Sequence, residues 1–157
     1  MAEVSFYHLE RQSLEEVLPT LLGKTLERGW RAVVEVADVE YRDALNRHLW
    51  VFREDSFLPH GSAQDGHADA QPIWLTTDID NPNGANVRFF AAGAMPGDIA
   101  AYDRVMVLFS GADDFAVKAA RQSWKALKDA DHTLTYWRQT SAGKWERKAE
   151  VTPVVGR

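Results

Sequence analysis

His60, Asp65, His67 and Asp69 fall within ten residues of one another, and imidazole and carboxylate are groups that hold divalent metals. The stretch that carries them, HGSAQDGHADAQ from His60 to Gln71, is polar and glycine-bearing, so it reads as a loop. Ligands are better fixed on a regular element. A solvated loop is therefore the simpler reading, and a metal site the alternative. Gly23-Lys24-Thr25 has the last three letters of a phosphate-binding loop, but the glycine required five positions earlier is Leu18, and the segment lies inside a leucine-periodic helix. No G-x-G-x-x-G and no G-x-S-x-G occurs, and Ser110-Gly111 reads as a tight turn after an apolar strand. Asp113 and Asp114 are neighbouring carboxylates, yet a helix start accounts for both. His48 and His132 stand alone and read as surface or capping residues. With no cysteine in the chain, a disulfide framework, a thiolate zinc site and a cysteine nucleophile are all excluded.

The elements that must position these groups follow from periodicity. Val4 to Leu9 reads as a strand. Ser13 then precedes Leu14, Val17, Leu18, Leu21, Leu22 and Leu26, a helical spacing with Glu16 placed for a capping box. Pro19 predicts a kink there or a later start. Arg31 to Ala37 is a second strand, and Asp38 caps a helix running to about Asn46. Ile73 to Thr77, Asn86 to Ala91 and Arg104 to Phe109 read as further strands. A helix follows to about Ala130, then a strand from Thr133 to Thr140 and a short hairpin partner from Trp145 to Lys148. Alternating strands and helices imply a three-layer α/β fold, a mostly parallel central sheet flanked by helices, with Rossmann-like topology but no nucleotide-binding motif. Residues 1–150 form one expected domain and 151–157 a loosely held tail.

Composition sets the outer bounds. The 157 residues are 45% apolar, with six tryptophans, enough for a core without covalent staples. Lys and Arg number 18 against 23 Asp and Glu, a net charge of −5, the wrong sign for a protein that coats nucleic acid. The amino terminus mixes acidic residues and His with apolar ones, unlike a secretory signal. No stretch approaches the ~18 apolar residues of a membrane span, so the cytoplasm is the expected compartment.

Two segments stand out. HLWVFREDSFLPHG, His48 to Gly61, sets Trp50, Phe52 and Phe57 among charged residues, and these rings are either core or surface anchors for a partner. In the last helix, Phe115, Ala119, Ser123, Ala126 and Leu127 gather on one side as the expected core stripe. Val117, Arg121, Trp124 and Lys128 share another, with Lys125 beside it. Either Trp124 folds over the helix edge among solubilising cations, or the stripe is a basic, aromatic-floored groove for an acidic peptide.

The residues SFYHL, the leucine helix ending E-R-G-W, the HLWVFREDSFLPHG block and, after FSG, the R-x-x-W-K of Arg121 to Lys125 resemble the chi subunit family of the bacterial DNA polymerase III holoenzyme. Order and spacing agree through about residue 130, and Leu49 to His60 is the most specific part. The resemblance implies an α/β fold, no catalytic activity, no cofactor or metal, and a place as accessory subunit of the clamp-loader complex. Its role there is to bind the acidic carboxy-terminal tail of single-stranded-DNA-binding protein (SSB), meeting DNA only through SSB. Carried over, the tail-binding residues are Arg121, Trp124 and Lys125, with Ser110 at the approach to the helix and Lys128 on the same stripe. Trp124 stands where a tyrosine is familiar, and Ser110 replaces an apolar residue. Trp50 and Phe57 would match the face that holds the psi subunit or a helicase. A metal- or nucleotide-dependent enzyme using the 60–71 loop is the alternative function, and a direct single-strand binder is disfavoured by net charge.

Overall fold

The computed structural model describes residues 2–10, 12–51, 60–62, 65–97, 99–140, 142 and 144–151. In chain order the elements are β1 (Glu3–Leu9), α1 (Leu14–Glu27), β2 (Ala32–Glu35), α2 (Val39–Val51), β3 (Gly61–Ser62), a 3₁₀ turn (Ala68–Ala70), β4 (Ile73–Thr76), β5 (Val87–Phe90), β6 (Arg104–Ser110), α3 (Asp114–Asp129), β7 (Thr133–Gln139) and β8 (Trp145–Val151). The strands form one sheet in the order β3-β4-β2-β5-β6-β1-β7-β8. Every neighbouring pair is parallel except β7 and β8. This is the three-layer α/β architecture expected from the alternation of elements.

The layers follow from the two-residue period of the strands. In β1, Tyr7 and Leu9 face the leucines of α1 together with Leu45 and Leu49 of α2. Val4 and Phe6 point the other way, towards Ala120 and Leu127 of α3. The chain leaves β1 through α1 towards β2 on one side of the sheet order, and leaves β6 through α3 towards β7 on the other. The point where these directions diverge, between β1 and β6, is where α/β sheets open a crevice at the carboxyl ends of their strands.

Local chemistry explains the helix boundaries. The Glu16 carboxylate accepts from the Ser13 backbone N–H and hydroxyl. Pro19 lies inside α1, fully accommodated and buried, and the helix begins at Leu14 rather than after the proline. Asp38 accepts from the Tyr41 N–H at 2.7 Å. The second helix runs past Asn46 to Val51, so Trp50 is helical. Leu45 and Leu49, four apart and both buried, continue the core stripe and carry the helix with them.

Opposite α1 and α2, Arg88 is only 2% exposed. Its guanidinium donates to Glu35 Oε1 and to the carbonyls of Asp78 and Asp80, and to the Tyr102 hydroxyl. A buried charge of this kind is tolerated because every donor direction it uses meets an acceptor. Among the described residues no helix is long and apolar enough to cross a membrane.

Candidate functional site

The last helix owes its start to Asp113, whose carboxylate accepts from the Phe115 and Ala116 N–H groups at 3.0 and 3.2 Å. That satisfies two of the orphan donors at the helix start. Its sheet-facing residues are Ala116, Val117, Ala120, Trp124 and Leu127, three and four apart. This corrects the expected stripe: Val117, expected beside the cations, faces the sheet, and Ala126, expected in the core, is exposed. Phe115, expected in the core, is 86% exposed. Trp124, expected off the core, packs edge-on against Phe6 with ring centres 5.4 Å apart and against Tyr136 at 5.9 Å. The reason is rotational: helical periodicity fixes angles between residues, and the strands beneath decide which angle faces down.

Trp124 is nonetheless only half-buried, and it lies on the border of the helix's cationic side. Arg121 and Lys128, three before and four after it, are its helical neighbours. Both are exposed, as is Lys125. Across from them, β7 supplies Tyr136 and Arg138. In the β1/β7 register Phe6 pairs with Tyr136 and His8 with Arg138. A row of rings results: Phe6, Trp124, Tyr136, His8 and Phe109, with neighbouring centres 5.1 to 5.9 Å apart. The His8 Nδ1 and the Tyr136 hydroxyl are 2.5 Å apart.

Electrostatics tie the cations to this row. Burial, then the Arg138 guanidinium, hold His8 below the usual histidine range, with Glu10 opposing and Arg121 adding. Burial raises the Tyr136 phenol, and Arg138 and Arg121 partly offset it. Arg121 and Arg138 thus act on the same two side chains from α3 and from β7. Arg138 also donates to a single oxygen of Glu10, Oε1, from Nε at 3.0 Å and from Nη2 at 2.5 Å. Ser110, exposed at the end of β6, directs its hydroxyl oxygen to the Ala112 N–H. It precedes Gly111, where an added Cβ would lie 2.0 Å from His8 Nε2. Glycine is required there by that approach, so Ser110 is anchored one residue from the end of the ring row.

The site therefore combines cations on α3 with a partly open aromatic row on the sheet. Arg121, Trp124, Lys125 and Lys128 come together, and Ser110 borders the His8 end. Sequence reading missed His8, Tyr136 and Arg138. The alternation of Thr133 to Gln139 put Tyr136 and Arg138 on one face of a strand, but nothing in it named the helix that covers that face.

The other expected groups lie elsewhere. Trp50 is 47% exposed on α2, its ring 4.3 Å from that of His60. Phe57 lies outside the described residues. In the 60–71 loop, His60 Nε2 contacts the Asn46 carbonyl at 2.9 Å, and Asp65 accepts from the Asn46 amide and the Ser62 N–H. These two expected ligands are spent on α2 and the loop itself. Among the described residues no three His, Asp or Glu side chains converge as a metal cluster.

Comparison with known proteins adds two findings. The family described as "DNA polymerase III chi subunit, HolC" matches residues 1–135, which take in β1 to β6, the start of β7 and all three helices. The chain is also similar to a protein of Rickettsia prowazekii (strain Madrid E) named "Probable DNA polymerase III subunit chi", 32% identical over 100 residues. That alignment covers 64% of this chain and 59% of the relative's length.

Proposed function

Because the chain belongs to the DNA polymerase III chi subunit family, we propose that it is a non-catalytic accessory subunit of the clamp-loader complex that binds the acidic carboxy-terminal tail of SSB and links the replicase to SSB-coated template. The observation that carries this reading is the juxtaposition of exposed Arg121, Lys125 and Lys128 with the half-buried Trp124 and the Tyr136–His8 row. The tail of SSB is acidic and ends on an aromatic residue with a free carboxylate. The guanidinium of Arg121 takes a carboxylate in a two-point contact, the lysines offset the remaining acids, and the aromatic row receives the ring. Ser110 and Gly111 bound the far end. Trp50, exposed on α2 beside His60, is assigned to the second contact face, for psi or a helicase.

Charge at this site is local. A chain of net charge −5 with cations gathered on one side of one helix favours an acidic peptide over a long polyanion. Several tails on one coated strand then convert modest single-site affinity into firm attachment.

Titration of a labelled SSB tail peptide tests the reading. Arg121→Ala should weaken binding about tenfold or more, a loss of ~1.4 kcal/mol, and raising salt should weaken it further. Unchanged affinity in Arg121→Ala and in Lys125→Ala would overturn the assignment. A gel shift should show retention of single-stranded DNA only when SSB is present.

A further inference from the structure

Two arginines reach the Tyr136–His8 end of the ring row, Arg121 from α3 and Arg138 from β7, and the fold gives the second one a carboxylate of its own. Arg138 Nε and Nη2 both donate to Glu10 Oε1, at 3.0 and 2.5 Å. In the β1/β7 register His8 pairs with Arg138, and His8 Nε2 lies 3.6 Å from the same Glu10 oxygen. Glu10 follows β1 directly, and the chain just after it is tied to the end of β7. The Gln12 N–H donates to Gln139 Oε1 at 3.2 Å, and the Gln139 amide donates to Gln12 Oε1 at 2.9 Å. That exchange fixes the level at which Glu10 sits beside Arg138.

A carboxylate of the protein therefore already stands where an acidic ligand would meet the second guanidinium. The contact is of a kind that exchanges readily. One oxygen serves both N–H groups, in place of the two-oxygen fork that makes arginine–carboxylate pairs strong. The two side chains are 48% and 31% exposed, and solvent screens much of the attraction in a pair so placed. A peptide held at Trp124 and Arg121 brings its carboxylates to Arg138 at high local concentration, and each of them offers two oxygens to the fork.

We propose that Arg138 is a further carboxylate-binding residue of this site and that Glu10 is its internal competitor, displaced when a carboxylate of the acidic peptide takes the guanidinium. This inference rests on the tail-binding reading and deepens it. Glu10 lowers the affinity for every acidic peptide by holding Arg138, and it lowers it least for a peptide that places an acid within reach of that fork. A segment whose acids meet only the lysines of α3 leaves Glu10 in place and gains nothing from Arg138. The pair thus makes the site selective for where a ligand carries its carboxylates, beyond how many it has.

The test titrates the labelled SSB tail peptide into the full chain and into its Glu10→Gln, Arg138→Ala and doubly substituted forms. Glu10→Gln should tighten binding about threefold to tenfold, because it gives up the guanidinium. Arg138→Ala should weaken binding about threefold in the native chain and by more in the Glu10→Gln background. The gain from Glu10→Gln should vanish when Arg138 is absent. Melting temperatures should change little, since the pair is open to solvent. In the isotopically labelled chain the Arg138 Nε–H resonance should move as peptide is added. An equal gain from Glu10→Gln with and without Arg138 would make Glu10 a distant charge only, and a loss of affinity in Glu10→Gln would make it a brace for Arg138. Either result, unchanged affinity in Glu10→Gln, or an unmoved Arg138 resonance overturns this inference while tail binding itself stands. No binding by any of the four proteins would overturn the tail-binding reading and this inference with it.

Discussion

His48 Nε2 lies 2.8 Å from the carbonyl oxygen of Glu15, the acceptor that Pro19, four residues later, has no N–H to satisfy. The imidazole of α2 therefore closes a gap that proline opens in α1. A carbonyl only accepts, so the proton on that nitrogen belongs to His48. Tyr41, two turns earlier on the same face of α2, donates its hydroxyl to the Glu15 carboxylate at 2.6 Å. Burial and that carboxylate push the Tyr41 phenol well up. Glu15 itself loses solvation, but the Tyr41 and Ser13 hydrogen bonds and His48 outweigh this and hold it below the usual range.

A double-mutant cycle follows from this pairing. His48→Ala alone should destabilise the chain by about 1 kcal/mol, the cost of a partly buried carbonyl left without a partner. In a Pro19→Ala background the restored N–H takes over the Glu15 carbonyl, and the same substitution should cost clearly less. Urea denaturation of the four proteins measures the coupling. Equal costs in both backgrounds would show that His48 acts through packing alone.

Gly111 is fixed by proximity, not by turn chemistry. A Cβ at this position would stand 2.0 Å from His8 Nε2, so Gly111→Ala should cost about 1–3 kcal/mol through overpacking. His8→Ala in the same chain removes the obstacle and should recover part of the loss. Melting temperatures of the single and double variants decide this.

His8 makes stability depend on pH. Its folded-state pKa is held below the ordinary 6.5, chiefly by burial and then by Arg138, so the unfolded chain binds the proton more readily. The contribution is complete above 6.5 and is lost as pH falls from there through the folded value. Melting temperature should drop between about pH 7 and pH 5, and less so in His8→Asn. A parallel decline in both proteins would assign the dependence to other histidines.

Trp124 has a structural duty that any binding test must respect. Its ring contacts Phe6 and Tyr136, so Trp124→Ala should destabilise the domain by about 2–4 kcal/mol. Trp124→Tyr keeps an aromatic ring and should cost less than half of that. Comparing the tail affinity of Trp124→Tyr with the melting temperature of both variants separates recognition from packing.

Much of this was legible in the chain. The unbroken apolar run from Val105 to Phe109 could only be a buried strand, and Ser13 with Glu16 and Asp113 marked their helix starts through local hydrogen bonds. The site was legible on α3, because Arg121, Trp124, Lys125 and Lys128 share neighbouring turns. Its other half was not. Tyr136 and His8 meet through parallel pairing of strands more than a hundred residues apart, and no local pattern encodes such a register. The same gap explains Trp124 and Phe115, since two apolar stripes ran along the helix and Phe6 and Tyr136 chose between them. His48 stands alone in the sequence as a surface or capping residue, and its contact with the carbonyl that Pro19 leaves unpaired in another helix has no local signal.

The central place of β1 has a consequence for how the chain is made. It is synthesised before the other strands, yet its neighbours in the sheet begin at Arg104 and Thr133. During translation its buried edges therefore wait for most of the chain, and loop closure over that length is slow. Phe6 and Leu9 therefore lack their sheet partners until β6 has been made. Substitutions that weaken β6 or β7 should then lower the yield of folded protein in cells more than their effect on equilibrium stability suggests.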